Sequence, residues 1–148
     1  MNPQALRYCV NEAVTRYSSE RHKVDAIAAI EARGFLFAAP VAAALGLPLI
    51  LIRNKGKLPG PTYSAQYDLE YGQAEIEVHV SDIPRGKKVL IIDDLIATGG
   101  TLKAARTLIV EYGKAQVTEI FGVIGLPFLR YEQFLAPTSI RTLIQYDK

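Results

Sequence analysis

Short apolar runs alternate with amphipathic segments along almost the whole chain. Unbroken runs of apolar, often β-branched residues are typical of strands buried on both faces of a parallel sheet. Segments with apolar residues every three or four positions are typical of helices that pack on such a sheet. Strands are predicted at residues 24–30, 49–52, 89–92, 118–124 and 140–145, and helices near residues 3–17, 35–45, 101–112 and 128–135. The alternation predicts an α/β fold with a mostly parallel, doubly wound sheet of about five strands flanked by helices.

The apolar stretch at residues 35–52 is long enough to be a membrane-span candidate. Pro40, Gly46 and Pro48 interrupt it, and Gly46 is well suited to end a helix before a new strand begins. We therefore predict a buried helix followed by a strand, and no contact with a membrane.

Residues 53–66 are rich in Gly, Pro and Lys and are predicted to form a long loop. The next residues, 67–71 and 74–80, have the pattern of an antiparallel pair with Gly72 at the turn. Loops of this length inside a compact domain usually have a function. The pair should form a hairpin arm attached to the parallel sheet.

Composition narrows the functional classes. With 148 residues, the chain is predicted to form one domain, residues 1–148, around a single core. The formal net charge is only +2 and the Lys and Arg residues are scattered, which disfavours nucleic acid as a partner. The lone Cys9 cannot form an internal disulfide, and the N-terminus lacks a continuous apolar signal region. These features indicate a cytoplasmic protein.

The segment from Val89 to Thr101, VLIIDDLIATGGT, contains the main candidate site. Asp93 and Asp94 follow a buried strand, and ligands of open α/β sheets bind beyond the carboxyl ends of the strands. The glycine loop that follows, at the predicted start of a helix, offers backbone N–H groups to a phosphate. The acids suit ribose hydroxyls or Mg²⁺, whereas their alternative role is a turn and a helix cap. The predicted phosphate-binding residues are Ala97, Thr98, Gly99, Gly100 and Thr101.

This segment resembles the site for phosphoribosyl pyrophosphate (PRPP) in the type I phosphoribosyltransferases. Three further segments occur in the order and spacing of the adenine phosphoribosyltransferase family: EARGF at 31–35, RNKGKLPGPT at 53–62 and YDLEYG at 67–72. The resemblance extends from near residue 3 to the C-terminus. It implies a type I phosphoribosyltransferase fold and a homodimer. It also implies an Mg²⁺-dependent purine-salvage enzyme that transfers the phosphoribosyl group of PRPP to adenine, giving AMP and pyrophosphate.

The resemblance also assigns roles to the basic residues. Arg33 and Gly34 correspond to the family's pyrophosphate loop, although an arginine in such a turn is otherwise often a solvated charge. The loop with Arg53, Lys55 and Lys57 corresponds to one that binds pyrophosphate and lies at the dimer interface. Asn54 stands where the family usually has lysine, so a contact made by that lysine would be neutral here. The metal would be held mainly by PRPP and not directly by the protein, with a contact through Asp93 or Asp94 as the alternative.

Glu70 and Tyr71 correspond to the family's mobile catalytic loop. The resemblance implies that Glu70 is the acid/base group at the purine and that Tyr71 covers the reaction centre. From the residues alone, a glutamate near a hairpin turn is usually just solvated. His22 and His79 match no part of the motif and are predicted to lie at the surface.

The family's N-terminal hood, which closes over the adenine ring, has no counterpart in these 148 residues. With the base site open to water, we expect the chain to bind AMP or PRPP but to turn over weakly or not at all. The alternative is a non-catalytic PRPP or nucleotide-binding regulator of the same fold. Such a regulator would normally need a DNA-binding module, and the sequence shows no helix-turn-helix segment or basic stripe.

Overall fold

Buried β-branched residues and periodic alanines build a three-layer α/β structure, described by a computed structural model over residues 1–148. The helices are α1 (Pro3–Ser19), α2 (Arg33–Leu45), α3 (Gly100–Thr107) and α4 (Tyr131–Phe134). The strands are β1 (Ala26–Ile30), β2 (Leu49–Asn54), β3 (Thr62–Asp68), β4 (Gln73–His79), β5 (Lys88–Ile96), β6 (Gln116–Gly125) and β7 (Ser139–Gln145). A π-helical turn, Leu108–Tyr112, continues α3, and short 3₁₀ turns occupy Arg21–Lys23, Val80–Asp82 and Pro127–Leu129.

The strands form one seven-stranded sheet in the order β3-β4-β2-β1-β5-β6-β7. Five adjacent strands of this sheet are mutually parallel: β2, β1, β5, β6 and β7. The β3–β4 hairpin joins the parallel strands at β2. There, β4 runs antiparallel to β2, with Glu77 paired to Arg53 and Ile76 to Asn54. This architecture confirms the predicted parallel sheet of five strands with a hairpin arm, and the arm is an extension of the same sheet.

Apolar layers cover both faces of the sheet, as the unbroken strand patterns predict. In β1, Ala26, Ala28 and Ile30 face the layer that includes α3, whereas Ile27 and Ala29 face α1 and α2. All five residues are buried. Because β1 has protein on both sides, its carboxyl end is the natural place for a crevice between the layers.

Helix α1 is fixed at both ends by polar contacts. The Asn2 side chain accepts hydrogen bonds from the N–H groups of Gln4 and Ala5, and Pro3 begins the helix, as the sequence predicts. Near the other end, the Tyr17 hydroxyl donates to Glu119 Oε2 at 2.7 Å. This buried bond attaches α1 to β6, so the helix covers one face of the sheet in a defined position.

Three element boundaries differ from the sequence prediction. Strand β5 does not end before Asp93 but continues to Ile96, because it remains paired with β6 through Leu95 and Ile124. The predicted long loop is shorter than 53–66, since Thr62–Asp68 pairs with β4 along its whole length. The predicted helix at 128–135 is instead a 3₁₀ turn and the short α4, separated by Arg130 at a φ of 65°. Cross-strand pairing and a left-handed residue decide these boundaries, and neither has a clear local sequence signal.

None of the helices combines the length and apolar character needed to cross a bilayer.

Candidate active site

The site begins where β1 and β5, neighbours in the sheet, end side by side. Their register places Ala29 opposite Ile92, so the turn after β1 lies next to Asp93. Gly34 permits this approach. A Cβ on Gly34 would lie 3.0 Å from Asp93 Oδ1 and 3.3 Å from the Ile92 carbonyl oxygen, closer than side chains normally pack. The glycine therefore lets the first turn of α2 contact the acidic pair directly.

An ion pair joins these two segments. Arg33 Nε lies 2.8 Å from Asp94 Oδ2, and the Arg33 side chain is 72% exposed while that of Asp94 is 21% exposed. The N–H of Asp94 donates to Asp93 Oδ1 at 2.9 Å. The structure thus brings together Arg33, Gly34 and the two aspartates, which are far apart in the sequence. The peptide bond between Glu31 and Ala32 in this turn is cis.

The two aspartates are electrostatically unequal. Burial, the largest cause, together with the hydrogen bond and negative charge of Asp94, raises the pKa of Asp93 to about 7. The Asp94 N–H and the Arg33 guanidinium oppose this rise. Asp93 therefore exchanges its proton near neutral pH, which makes the charge of the site sensitive to a ligand.

The glycine loop follows β5 and leads into α3. Gly99, at a φ of 92°, is the cap residue, and no side chain accepts a hydrogen bond from the first turn of α3. Those N–H groups are therefore available to an external acceptor, as in helix-terminal phosphate sites. The positive φ favours glycine, and a Cβ at Gly99 would also lie 3.2 Å from Leu135 Cδ1. The five predicted phosphate-binding residues, Ala97, Thr98, Gly99, Gly100 and Thr101, form one continuous turn at the helix start.

The basic loop after β2 is organised by Glu77, which the sequence analysis missed. Glu77 Oε2 accepts hydrogen bonds from the N–H groups of Gly56, Lys57 and Leu58, each at 2.9 Å. Burial alone would raise the pKa of Glu77, but these N–H groups outweigh it, so the pKa lies below its ordinary value. The alternation of β4 predicts an exposed glutamate here. Glu77 is buried because the loop folds over its carboxylate.

Glu31 pairs with the side chains of this loop. Its Oε1 accepts from the Asn54 N–H at 2.6 Å, and its Oε2 accepts from Lys57 Nζ at 2.6 Å. Arg53 Nε lies 3.5 Å from the same carboxylate. Burial acts to raise the pKa of Glu31, but the bonds from Lys57 and Asn54 prevail and lower it. Lys55 Nζ instead donates to Ser64 Oγ at 2.7 Å.

Glu70 and Tyr71 lie in the turn of the β3–β4 hairpin. The turn closes through a 2.9 Å bond from the Leu69 N–H to the Gly72 carbonyl, with Gly72 at a φ of 92°. Both side chains are exposed, Tyr71 to 89%. The structure does not bring them into contact with the aspartates. It does place the end of β3 beside the glycine loop, because a Cβ on Gly100 would lie 4.0 Å from the Asp68 carbonyl oxygen.

A cavity of about 840 Å³ lies alongside the glycine loop, between β3, α3 and α4. It includes Thr98 and Gly100 but not Arg33, Asp93 or Asp94, so it lies beside the acidic pair and does not cover it. The remaining lining residues are Gln66, Tyr67, Asp68, Lys103, Ala104, Thr107, Leu129, Arg130, Gln133 and Phe134. The space adjoins the predicted phosphate site and is large enough for a small ligand.

The donor set fits a magnesium ion that is bound mainly by its substrate. No cluster of three or more His, Cys, Asp or Glu side chains is present that could hold a metal by itself. Asp93 and Asp94 offer two adjacent carboxylates, and Mg²⁺ usually takes one or two carboxylates together with substrate phosphates and water. The site can therefore share Mg²⁺ with a phosphorylated ligand.

Comparison with known proteins agrees with this geometry. Residues 4–120 match the family described as phosphoribosyl transferase domain. The adenine phosphoribosyltransferase of Treponema denticola is 59% identical over 147 residues, which cover 99% of this chain and 76% of that protein. The rat enzyme is 45% identical over 130 residues, covering 88% of this chain and 72% of its relative.

Solved structures show the same relationship. Adenine phosphoribosyltransferase from Saccharomyces cerevisiae has a TM-score of 0.87 and 38% identity, covering 96% of this chain and 81% of that chain. The Trypanosoma brucei protein, solved with AMP, pyrophosphate and ribose-5-phosphate, has a TM-score of 0.87 and 29% identity. The match covers 97% of this chain and 65% of that chain. With a matching fold, an acidic strand followed by a glycine loop, and relatives that align along nearly its whole length, this chain belongs to the adenine phosphoribosyltransferase family.

Proposed function

We propose that this chain transfers the phosphoribosyl group of PRPP to adenine, giving AMP and pyrophosphate in purine salvage. The observation that carries the proposal is the adjacency of Arg33, Asp93, Asp94 and the glycine loop in a chain that is 59% identical to an adenine phosphoribosyltransferase. One anion site at the start of α3 and one cationic turn after β1 flank a pair of hydroxyl acceptors. This arrangement matches a sugar that carries a phosphate at each end.

Each part of the site takes one part of PRPP. The N–H groups of the glycine loop, with Ala97, Thr98, Gly99, Gly100 and Thr101, bind the 5-phosphate. Asp93 and Asp94 accept hydrogen bonds from the ribose hydroxyls. Arg33 and the backbone at Gly34 bind the pyrophosphate, together with Arg53 near the end of β2 and Lys55 and Lys57 of the basic loop. We expect Asn54 to contribute no charge to that affinity.

The reaction forms a bond between adenine N9 and ribose C1 while the bond from C1 to the pyrophosphate oxygen breaks. The electron pair of the breaking bond leaves with pyrophosphate, and the N9 proton of adenine is lost. Positive charge develops on the sugar, so the protein acts mainly by holding the leaving group, orienting the base and excluding water. Bound Mg²⁺ supplies charge neutralisation of the pyrophosphate oxygens.

The hairpin tip completes the site in this proposal. Glu70 exchanges a proton with the purine, and Tyr71 covers the reaction centre when the tip lies over the glycine loop. The exposure of both side chains and the proximity of Asp68 to Gly100 support a tip that approaches the substrate from the hairpin side. Proton transfer by a positioned carboxylate typically contributes about a hundred- to ten-thousandfold to a rate.

We also propose that residues 1–148 act as one domain within a cytosolic homodimer. Apolar residues make up 49% of the chain, and the basic loop would lie near the partner subunit. The lone, half-buried Cys9 is compatible with a reducing compartment.

A product assay with each purine base, PRPP and Mg²⁺ tests the function. The expected outcome is slow formation of AMP from adenine, with less product from guanine or hypoxanthine. The variant with both Asp93→Asn and Asp94→Asn should remain folded and lose most of its PRPP affinity by calorimetry. Retained PRPP or AMP binding with no product from any base, even at saturating adenine and long incubation, would instead favour the non-catalytic regulator.

A further inference from the structure

Every cation proposed for pyrophosphate lies near a carboxylate of its own chain. Such pairing matters because a charge that already has a counter-ion attracts a ligand less strongly than a free one. The pairs are Arg33 with Asp94 at 2.8 Å, Lys57 with Glu31 at 2.6 Å, Arg53 with Glu31 at 3.5 Å and Lys55 with Glu75 at 3.9 Å. Glu31 is the only carboxylate that serves two of these cations.

Glu31 is held in place, whereas its partners can move. Its side chain is only 10% exposed, and the Asn54 N–H fixes Oε1 at 2.6 Å. The side chains of Lys57 and Arg53 are 46% and 36% exposed. An arriving anion can therefore draw the flexible cations toward itself while the carboxylate stays where it is.

Glu77 holds the backbone of the loop in place while the Lys57 and Arg53 side chains move toward an anion. Its carboxylate binds the N–H groups of Gly56, Lys57 and Leu58, so the loop keeps its course when the Lys57 side chain changes partner. The two glutamates thus have different tasks. Glu77 fixes the main chain, and Glu31 neutralises the side chains.

We propose that Glu31 is a positioning residue that acts as the internal counter-ion of the pyrophosphate subsite. In the free protein it holds Lys57 and Arg53, and in the complex it remains as a fixed negative charge that weakens the affinity for pyrophosphate. The consequence is faster release of this product. This inference rests on the proposed function, because it takes Lys57 and Arg53 as ligands of pyrophosphate.

The sign of a substitution distinguishes this role from a merely structural one. If Glu31 only supported the loop, removing its charge would disorder the cations and weaken binding. If it is a counter-ion, neutralising it leaves the cations with more net positive charge and strengthens binding. Glu31→Gln is the appropriate change, because the amide oxygen can still accept from the Asn54 N–H while the negative charge is lost.

Calorimetric titration with Mg²⁺-pyrophosphate tests the proposal. Glu31→Gln should bind about tenfold more tightly than the unsubstituted chain, since one nearby like charge is removed. The affinity for AMP, which lacks the pyrophosphate, should stay within about twofold. Glu75→Gln is the matched control. It removes a carboxylate 3.9 Å from Lys55, whose ammonium remains bonded to Ser64, so pyrophosphate affinity should be nearly unchanged.

Two further variants keep the test decisive. Glu31→Asp retains the charge but moves it one methylene further from Lys57, so we expect a smaller gain in pyrophosphate affinity. This variant replaces Glu31→Gln if the glutamine variant does not fold. In a Lys57→Gln background, Glu31→Gln should produce a smaller gain, because the main cation it neutralises is absent. Equal or weaker pyrophosphate binding in both Glu31 variants would overturn the inference. Failure of the unsubstituted chain to bind either AMP or pyrophosphate would instead overturn the proposed function.

Discussion

Arg33 Nε lies 2.8 Å from Asp94 Oδ2, which joins the turn after β1 to the acidic end of β5. The Arg33 side chain is 72% exposed, so water screens this ion pair and its contribution to stability is at most about 1 kcal/mol. Its role is therefore better understood as local orientation. The guanidinium is held at the edge of the crevice, where a pyrophosphate group can reach it.

We expect Arg33→Ala to weaken Mg²⁺-PRPP binding about ten- to hundredfold, because a charge-assisted hydrogen bond of about 1.5–3 kcal/mol is lost. Arg33→Lys should recover only part of that affinity, since an ammonium cannot bind phosphate oxygens in the bidentate manner of a guanidinium. Calorimetry with PRPP and with AMP separates the effect on pyrophosphate binding from the effect on ribose 5-phosphate binding, because AMP lacks the pyrophosphate. A fall of equal size for both ligands would contradict the assignment of Arg33 to pyrophosphate.

Asp93 should make both stability and binding depend on pH near neutrality. Its pKa is raised from 3.8 to about 7 in the folded chain, mainly by burial. The stabilisation from binding this proton is fully present below pH 3.8 and is lost as the pH rises through 7. Asp93→Asn has no titrating group at this position. As the pH rises from about 5 to about 8, the melting temperature of the unsubstituted chain should therefore fall relative to that of Asp93→Asn.

The same linkage applies to the ligand. If ionised Asp93 accepts ribose hydroxyls, PRPP affinity should rise with pH through about 7, and this rise should be absent in Asp93→Asn. Asp82→Asn, an exposed acid in a short turn, serves as the control and should leave the pH profile unchanged. Parallel stability curves for Asp93→Asn and the unsubstituted chain would refute this account.

Gly34→Ala should damage the site by crowding. The new Cβ would lie 3.0 Å from Asp93 Oδ1 and 3.3 Å from the Ile92 carbonyl, and the β5 backbone cannot move away without breaking its pairing. We expect a loss of about 1–3 kcal/mol in unfolding free energy, together with weaker PRPP binding. Gly100→Ala is the folding control, because its Cβ has no neighbour closer than 4.0 Å. Equal stability of the two variants in denaturant titrations would argue against crowding at Gly34.

Glu70→Gln tests the hairpin tip. In any version of the chain that turns over adenine, the substitution should lower kcat about ten- to ten-thousandfold, because a proton-transfer group is lost. Its side chain is exposed and makes no hydrogen bond within the chain, so thermal stability should not change. Glu111→Gln, also exposed, provides the comparison for a general loss of charge. An unchanged kcat would remove Glu70 from the mechanism.

The proposed homodimer predicts the position of the basic loop. Sedimentation at micromolar concentration should give a mass near twice 16.3 kDa. A fluorescent probe attached to a Leu58→Cys variant, in the loop that follows β2, should change its emission when the partner subunit binds nearby. A monomer under these conditions would exclude the dimer and, with it, any contribution of the loop to a neighbouring site.

The sequence by itself determined the layers of the fold and indicated the main parts of the candidate site. Unbroken apolar runs predicted the buried parallel strands, because a strand covered on both faces has no position for a polar residue. Asp93, Asp94 and the following glycines were recognisable because acids after a buried strand and glycines before a helix have few structural uses. Family resemblance implied roles for Glu70 and for the basic loop, which isolated residues do not indicate.

Only the tertiary structure decided which charges meet. Glu31 and Glu77 carry no local sign of burial, and β4 even alternates as if Glu77 faced water. Glu77 is buried and the Glu31 side chain is only 10% exposed because the loop after β2 folds over them and supplies N–H and ammonium donors from residues 19 to 26 positions away. A sequence pattern records which side chains prefer water, but a buried ion pair depends on partners that the chain brings together only when it folds.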